Sequence, residues 1–226
     1  MDEYAVVRER MVREQLESRD VRDARVLEAM RSVPRHEFVP QESRNLAYAD
    51  APLPIGDGQT ISQPYIVAFM TELLEVQAAD RILEVGTGSG YQAAVLSLLA
   101  GEVYTLERIS RLASESRARL ARLGFHNVQV IESDGSCGYP DQAPFDGIIV
   151  TAAAPKAPTP LKGQLADGGR MVVPVGSREG QVLERWTRRG DRLEEERIAP
   201  VAFVPLVGEH GWPPDREVET KKWRWF

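Results

Sequence analysis

The strongest chemical signal in the sequence is a glycine-rich turn, EVGTGSGY, between an apolar stretch and a helical one. Gly86, Gly88 and Gly90 form a G-x-G-x-G pattern, whereas a dinucleotide fingerprint needs its third glycine at the position of Tyr91. A bulky residue there disfavours a pyrophosphate pressed against the helix N-terminus. The spacing favours a ligand without phosphates, and S-adenosylmethionine, an amino acid joined to a ribosyl adenine, is such a ligand. A nicotinamide-dependent oxidoreductase is the weaker alternative.

Two acidic positions follow the turn at places where a nucleoside needs hydrogen-bond acceptors. Glu107 ends the next apolar stretch, where an acid can accept hydrogen bonds from ribose hydroxyls. Asp134-Gly135 ends the third apolar stretch, where it can border an adenine. Carboxyl ends of neighbouring strands meet at one edge of an open α/β sheet, so these residues predict one site. The predicted cofactor contacts from this part of the chain are Gly86, Thr87, Gly88, Ser89, Glu107, Asp134 and Gly135.

Each of these signals has a simpler explanation when it is taken alone. A glycine turn also merely connects a strand to a helix, a single glutamate is usually solvated, and an aspartate before glycine commonly forms a turn. Their combination, in this order along the chain, favours S-adenosylmethionine over a nicotinamide cofactor.

A second polar stretch, GDGQTISQP (residues 56–64), precedes a compact apolar helix. Its glycines and hydroxyls are typical of a surface turn. Ser62 stands just before Pro64 and Tyr65, where serine often caps a helix N-terminus. From the residues alone, Ser62 is therefore predicted to be a helix cap.

Alternating strands and helices must position these residues. Apolar stretches predict strands over 81–85, 102–107, 128–134, 146–151 and 170–176, with helices over 91–100, 109–123 and 158–166 between them. Such alternation predicts a parallel sheet that is covered on both faces, and residues 181–198 predict an antiparallel hairpin turning at 189–191. Together with S-adenosylmethionine as the predicted cofactor, this makes the predicted fold class α/β, a doubly wound Rossmann-like class I methyltransferase fold with an antiparallel C-terminal hairpin and an N-terminal helical extension.

We predict three parts of the chain. Residues 1–75 form helices and a polar loop packed on the main domain, residues 76–206 form the cofactor-binding domain, and residues 207–226 form a tail. Within the first part, helices are expected over 5–31 and 65–74, Ser18 or Asp20 is expected to cap the second helix, and 34–64 is expected to be irregular.

Composition excludes several classes of protein. The 28 basic and 34 acidic residues give a net charge of −6, so no basic field for nucleic acid is expected. No stretch approaches about twenty uninterrupted apolar residues, so no membrane span is expected. The single cysteine, Cys137, excludes an intrachain disulfide, fits a reducing compartment and is predicted to be a small buried residue. We therefore expect a cytoplasmic protein. We also expect a monomer, which the composition does not indicate.

The three histidines, His36, His126 and His210, lie far apart in the sequence. None has a cysteine or carboxylate companion at the spacing of metal ligands, so the sequence predicts no metal site.

Beyond these patterns the chain resembles one family, the protein-L-isoaspartate O-methyltransferases. The resemblance covers about residues 33 to 212 and is carried by VPRHEFVP, AYADAPLPIGDGQTISQPYIVAFMTELL, ILEVGTGSGYQAAVL, SDGSCGYPDQAPFDGIIVTAAAP, LADGGRMVVPVG and FVPLVGEHGW. The TISQP and TAAAP segments are much more specific than the glycine turn.

The resemblance implies an enzyme that methylates the free α-carboxylate of L-isoaspartyl residues in damaged proteins and peptides. In this family the ester then collapses to a succinimide without the enzyme, and part of it hydrolyses to normal aspartate. Ser62 matches the family's active-site serine, and Thr60 and Ile61 match positions beside cofactor and substrate. The polar stretch 56–64 would then be a lid over the transferred methyl group, and FVPLVGEHGW would cover the substrate.

Two further alternatives share this fold. A methyltransferase acting on RNA or a small molecule is disfavoured because TAAAP occupies the place of the Asn/Asp-Pro-Pro-aromatic motif used for amino nitrogens. A non-catalytic cofactor-binding module is disfavoured because Ser62 and Glu107 are both present.

Overall fold

A computed structural model describes residues 4–214 of the chain. The strands are β1 (Leu53–Gly56), β2 (Gln59–Ile61), β3 (Arg81–Val85), β4 (Glu102–Glu107), β5 (Val128–Glu132), β6 (Phe145–Val150), β7 (Leu165–Gly176), β8 (Gln181–Arg189) and β9 (Arg192–Val201). The helices are α1 (Ala5–Met11), α2 (Ala24–Ser32), α3 (Pro64–Leu74), α4 (Tyr91–Ser97), α5 (Ser110–Arg122) and α6 (Thr159–Gly163).

Seven strands form the central sheet in the order β5-β4-β3-β6-β7-β8-β9. The first five run parallel, and β8 and β9 add an antiparallel hairpin to β7. This arrangement confirms the predicted fold class. Strand β7 begins at Leu165, five residues earlier than expected, because its first residue pairs with Phe145 across a register shift before the regular ladder.

Apolar side chains cover both faces of the sheet. One core cluster joins the N-terminal helices and α3, α4 and α5 to one face, and a second cluster joins α6 to the other. Burial on both faces explains why β6 is apolar except for Asp146 and Gly147. Within residues 4–214, no helix combines the length and apolar character that crossing a bilayer requires.

The N-terminal extension is less regular than expected. Helix α1 continues through a π-helical turn, Val12–Leu16, and a 3₁₀ turn, Glu17–Arg19, and Asp20 ends it in the left-handed conformation with φ 72°. Asp23, rather than Ser18 or Asp20, caps α2: its carboxylate accepts from the Arg25 N–H at 2.8 Å. The expected cap was wrong because the extra turn shifts the start of α2.

Residues 34–64, expected to be irregular, contain the hairpin β1–β2. The hairpin turns through Gly56, Asp57 and Gly58, all at positive φ. A Cβ at Gly56 would lie 2.4 Å from Nη2 of Arg111, which forms a 2.7 Å ion pair with Asp57. Arg111 of helix α5 therefore holds the hairpin turn in place. Sequence periodicity does not predict this contact.

The predicted division into three parts stays a prediction. The tail predicted for residues 207–226 falls partly outside the described residues. Its described portion ends at Pro214.

We expect Asp23→Ala to lower the free energy of unfolding by about 1 kcal/mol, the usual cost of losing an N-cap acceptor. Ser18→Ala is the matched control and should change it by less than about 0.5 kcal/mol, since Ser18 is exposed and caps no helix. Urea denaturation at neutral pH measures both values. Equal values for the two variants would contradict the assignment of the cap.

Candidate active site

The glycine turn lies where the strand order of the sheet reverses, between β3 and β6. Gly86 and Gly88 have φ values of 99° and 52°, a conformation that favours glycine. Thr151, just after β6, donates its hydroxyl to the Gly86 carbonyl at 2.6 Å, and a Cβ on Gly86 would lie 2.4 Å from the Thr151 hydroxyl oxygen. The close approach of these two strand ends fixes the turn at the crevice where open α/β sheets bind ligands.

Glu107 ends β4 beside this turn and is only 6% exposed. One carboxylate oxygen accepts from the Gly88 N–H and the other from the Ile109 N–H, both at 2.9 Å. Each oxygen keeps a further lone pair. The carboxylate is therefore locked in place and can still accept two hydroxyls from a ligand.

One cavity at this edge of the sheet collects nearly all the residues that the sequence singled out. Its lining includes Thr60, Ile61, Ser62, Gly86, Thr87, Gly88, Ser89, Glu107 and Gly135. Leu206 and Val207 of the C-terminal segment line it as well. The hairpin, the turn and the end of β4 thus meet at one place although they are distant in sequence.

Asp134 is the predicted site residue that does not line this cavity. Its carboxylate accepts from the N–H and hydroxyl of Ser136 and from the N–H of Glu209, at 2.9, 2.7 and 2.8 Å. Burial tends to raise the pKa of Asp134. The hydrogen bonds that stabilise its carboxylate have the larger combined effect and hold the pKa below its ordinary value. Asp134 orders the turn that presents Gly135, and its direct contact with an adenine stays a prediction.

Ser62 follows β2 and does not cap α3. The N-cap of α3 is Gln63, and no side chain caps it. The cap expected from the local sequence is therefore wrong, because the chain reaches α3 one residue later. Ser62 instead lines the cavity.

The backbone of Ser62 is fixed by a buried arginine. Arg35 is 0% exposed, and its guanidinium donates to the carbonyl oxygens of Ala47 and Ser62, both at 2.7 Å. The guanidinium lies 4.8 Å from the ring centroid of Tyr91. Burial lowers the pKa of Arg35 to about 10, so the group stays charged at neutral pH. The sequence marked Arg35 only as part of VPRHEFVP, because its partners are two backbone carbonyls.

Tyr91 opens α4 directly beneath the glycine turn and is 1% exposed. Its ring packs edge-on against Phe38 at 5.5 Å, and burial raises the pKa of the phenol to about 12. The tyrosine therefore fills the space behind the turn as a neutral core residue.

Sequence inspection missed Glu84, a fully buried acid in β3 that lines the cavity. Thr105 donates to its Oε2 at 2.5 Å, whereas its Oε1 has no partner within the described residues. Burial raises the pKa of Glu84 to about 8, and the nearby Glu107 adds to the shift. The available signal was the single acid in the apolar strand RILEV.

The donor and acceptor set fits S-adenosylmethionine. Glu107 offers acceptors to ribose hydroxyls, and the unpartnered oxygen of Glu84 is an acceptor for the cationic amino-acid end once the Glu84 carboxyl group has lost its proton. The left-handed glycines let a ligand approach the backbone closely.

Cys137 differs from its expected buried state. It is half-buried, and its Sγ lies 3.9 Å from Oε2 of Glu209. Burial and the neighbouring carboxylates of Asp134 and Glu209 raise the pKa of the thiol. The cysteine therefore faces a polar surface segment and is not part of the apolar core.

We expect Glu84→Gln to change how stability depends on pH. The Glu84 pKa is about 8 in the folded state, against the ordinary 4.5 of an unfolded chain, so the native protein holds an extra proton between these values. The stabilisation from that proton is present below about pH 4.5 and is lost as pH rises through about 8. Glutamine does not titrate, so the variant should gain stability relative to wild type by up to about 1.4 kcal/mol per pH unit across this window.

Urea unfolding of both proteins at several pH values measures this difference. A stability difference that stays constant across the window would show that Glu84 is already ionised in the folded protein.

Comparison with known proteins gives a consistent result. The model of the protein-L-isoaspartate(D-aspartate) O-methyltransferase family matches residues 7–211. Protein-L-isoaspartate O-methyltransferases from Methanoregula boonei and Desulfotalea psychrophila are 58% and 54% identical to this chain, over 91% and 94% of its length and 94% and 99% of theirs.

Solved structures agree with the sequence comparison. A protein-L-isoaspartate O-methyltransferase superposes with a TM-score of 0.81 at 28% identity and covers 90% of this chain and 67% of its own. A Plasmodium falciparum protein assigned to the same activity, solved in complex with S-adenosyl-L-homocysteine, gives 0.77 at 26% identity, over 88% of this chain and 98% of its own. The chain therefore belongs to the protein-L-isoaspartate(D-aspartate) O-methyltransferase family.

Proposed function

We propose that this enzyme transfers the methyl group of S-adenosylmethionine to the free α-carboxylate of L-isoaspartyl residues in damaged proteins and peptides. The observation that carries the proposal is the single cavity lined by both Ser62 and Glu107, the predicted substrate-side and cofactor-side residues. The family match over residues 7–211 supports the substrate class. It also disfavours the alternative of a methyltransferase acting on RNA or a small molecule.

Methyl transfer to a carboxylate requires the two reacting groups to be aligned, and it needs no general base. An α-carboxylate is ionised at neutral pH, with a reference pKa of about 3.5, so its oxygen is already nucleophilic. When bound, S-adenosylmethionine supplies the methyl group as an electrophilic carbon on a sulfonium. A new oxygen–carbon bond replaces the carbon–sulfur bond, and no proton has to move. The absence of a catalytic histidine or cysteine from the predicted site agrees with this requirement.

Ser62 acts in this proposal as a positioning group for the substrate carboxylate. Its hydroxyl holds one carboxylate oxygen and leaves the other free to attack. The Arg35 hydrogen bond to the Ser62 carbonyl supports this role, because a fixed backbone limits the positions that the hydroxyl can take. Thr60 and Ile61 line the same cavity next to it.

Glu107 and the glycine turn hold the cofactor in this proposal. The carboxylate accepts the ribose hydroxyls, Gly86 to Ser89 approach the amino-acid end, and Gly135 borders the adenine. The two N–H groups that already bind Glu107 keep its oxygens in place before the ligand arrives. Leu206 and Val207 exclude water from the cavity, which strengthens these polar contacts.

The finer assignments of partner and location belong to the same proposal. We infer that the enzyme acts as a cytoplasmic monomer and binds no nucleic acid. The net charge of −6 supports the absence of nucleic-acid binding, and the single cysteine supports the cytoplasm, a reducing compartment.

The function is tested with two peptides that differ only in an L-isoaspartyl or an L-aspartyl residue and with S-adenosylmethionine labelled on its methyl group. We expect base-labile label on the isoaspartyl peptide alone, because the product is a carboxyl ester. Label on neither peptide, with cofactor binding confirmed by calorimetry, would contradict the proposed substrate.

We expect Ser62→Ala to lower kcat about ten- to a hundredfold, the value of a hydrogen bond to a charged group, with little change in cofactor affinity. Ser114→Ala is the matched control, since Ser114 is exposed on α5. Steady-state methyl transfer to the isoaspartyl peptide measures both. A kcat equal to that of the control would remove Ser62 from the mechanism.

We expect Glu107→Ala to weaken S-adenosylmethionine binding at least about tenfold, because the ribose loses a charged acceptor and two backbone N–H groups lose theirs. Glu102→Ala, at the exposed start of the same strand, is the control. Calorimetric titration gives both affinities. Unchanged affinity in Glu107→Ala would mean that other groups hold the ribose.

A further inference from the structure

Three potential metal ligands lie close together where the C-terminal segment that carries Leu206 and Val207 meets the turn after β5. Cys137 lies after β5, whereas Glu209 and His210 lie 72 and 73 positions further along the chain. One ligand atom from each falls within 4.8 Å of the other two. The Cys137 Sγ is 3.9 Å from Oε2 of Glu209, and the His210 Nε2 is 3.8 Å from Oε1 of Glu209. The tertiary structure thus supplies the cysteine and carboxylate companions that His210 lacks in its local sequence.

The backbone holds these residues together without using their side chains. The Glu209 N–H donates to Asp134 at 2.8 Å, and the His210 N–H donates to the Ser136 hydroxyl at 3.0 Å. A Cβ at Gly208 would lie 2.1 Å from Oδ1 of Asp134, so this docking requires glycine there. The segment therefore sits firmly against the turn that carries Cys137, and these backbone contacts place the three side chains next to one another.

We propose that Cys137, Glu209 and His210 form a Zn²⁺ site. Thiolate, imidazole and carboxylate are each zinc ligands in proteins, and three such ligands leave the fourth position of an open tetrahedral site to water. Zinc bonds of about 2.0 to 2.3 Å separate tetrahedral ligands by roughly 3.3 to 3.7 Å. The three ligand atoms lie within 4.8 Å of one another, so zinc binding requires the exposed side chains of Glu209 and His210 to move inward by about 1 Å. Binding displaces the thiol proton of Cys137 to solvent.

The position of the site gives zinc an effect on the cavity. Leu206 and Val207, which immediately precede Gly208, line the cavity, and the Leu206 N–H donates to the Ala153 carbonyl at 2.8 Å. A metal that links Cys137 to residues 209 and 210 fastens this segment over the adenine end. Zinc therefore slows exchange of the bound nucleoside.

The test uses the full-length enzyme without an affinity tag, freed of metal with a chelator and titrated with zinc chloride by equilibrium dialysis. We expect one Zn²⁺ per chain, with affinity lowered at least about tenfold in Cys137→Ser and in His210→Asn, because loss of even an outer-shell partner costs about that much. His126→Asn, which removes an exposed histidine elsewhere, is the matched control and should bind like wild type. Cobalt substitution should give a thiolate charge-transfer band that is absent from Cys137→Ser.

Exchange of labelled S-adenosylhomocysteine provides the second measurement. Zinc should slow its dissociation from wild type and from His126→Asn, and should have no effect on His210→Asn. Failure to bind stoichiometric zinc, or binding that is equal in all four proteins, would overturn the site. Zinc that binds at these residues without slowing dissociation would support the site and overturn its effect on the cavity.

Discussion

The buried guanidinium of Arg35 is the interaction on which the geometry of this site depends. A charge inside a protein needs hydrogen-bond partners to replace water, and Arg35 finds two in the carbonyls of Ala47 and Ser62. It also lies beside Tyr91, directly beneath the glycine turn. The N-terminal extension, the hairpin and the start of α4 therefore converge on one side chain. Moving the extension or the hairpin would take acceptors away from a buried cation.

The cofactor side of the cavity follows from a different constraint, the reversal of strand order between β3 and β6. The two strand ends approach so closely that Thr151 bonds to Gly86, and only glycine leaves room for that contact. Glu107 then receives the N–H of Gly88. The same backbone groups that shape the turn thus orient the acid, so the site is ordered before a ligand binds.

The C-terminal segment closes the cavity by bonding to a turn rather than by packing alone. Asp134 accepts from the Glu209 N–H, and Gly208 permits the close contact. Asp134, which the sequence suggested as an adenine contact, therefore binds the C-terminal segment to the turn after β5. This explains how residues after Leu206, beyond the last strand, come to lie at the mouth of the cavity.

Much of this architecture could be read from local sequence. The strand–turn–helix pattern around EVGTGSGY predicted the sheet, the turn and the position of Glu107 at the end of β4, because periodicity and glycine conformation depend on near neighbours. The N-caps of α2 and α3 were misplaced, since a π-helical turn and a short hairpin leave no strong periodic signal. Arg35 and Glu84 were missed because both are buried by residues that are distant in the sequence, and their local sequence does not show that burial.

The sequence by itself thus determined the fold class and the identity of the groups that could do chemistry. The tertiary structure decided which of them meet. It placed Ser62 and Glu107 in the lining of one cavity, engaged the Asp134 carboxylate with the Glu209 N–H and brought Cys137 to His210. The physical reason is that these contacts join residues far apart in the chain, and their geometry is fixed by packing of whole elements rather than by any neighbour in sequence.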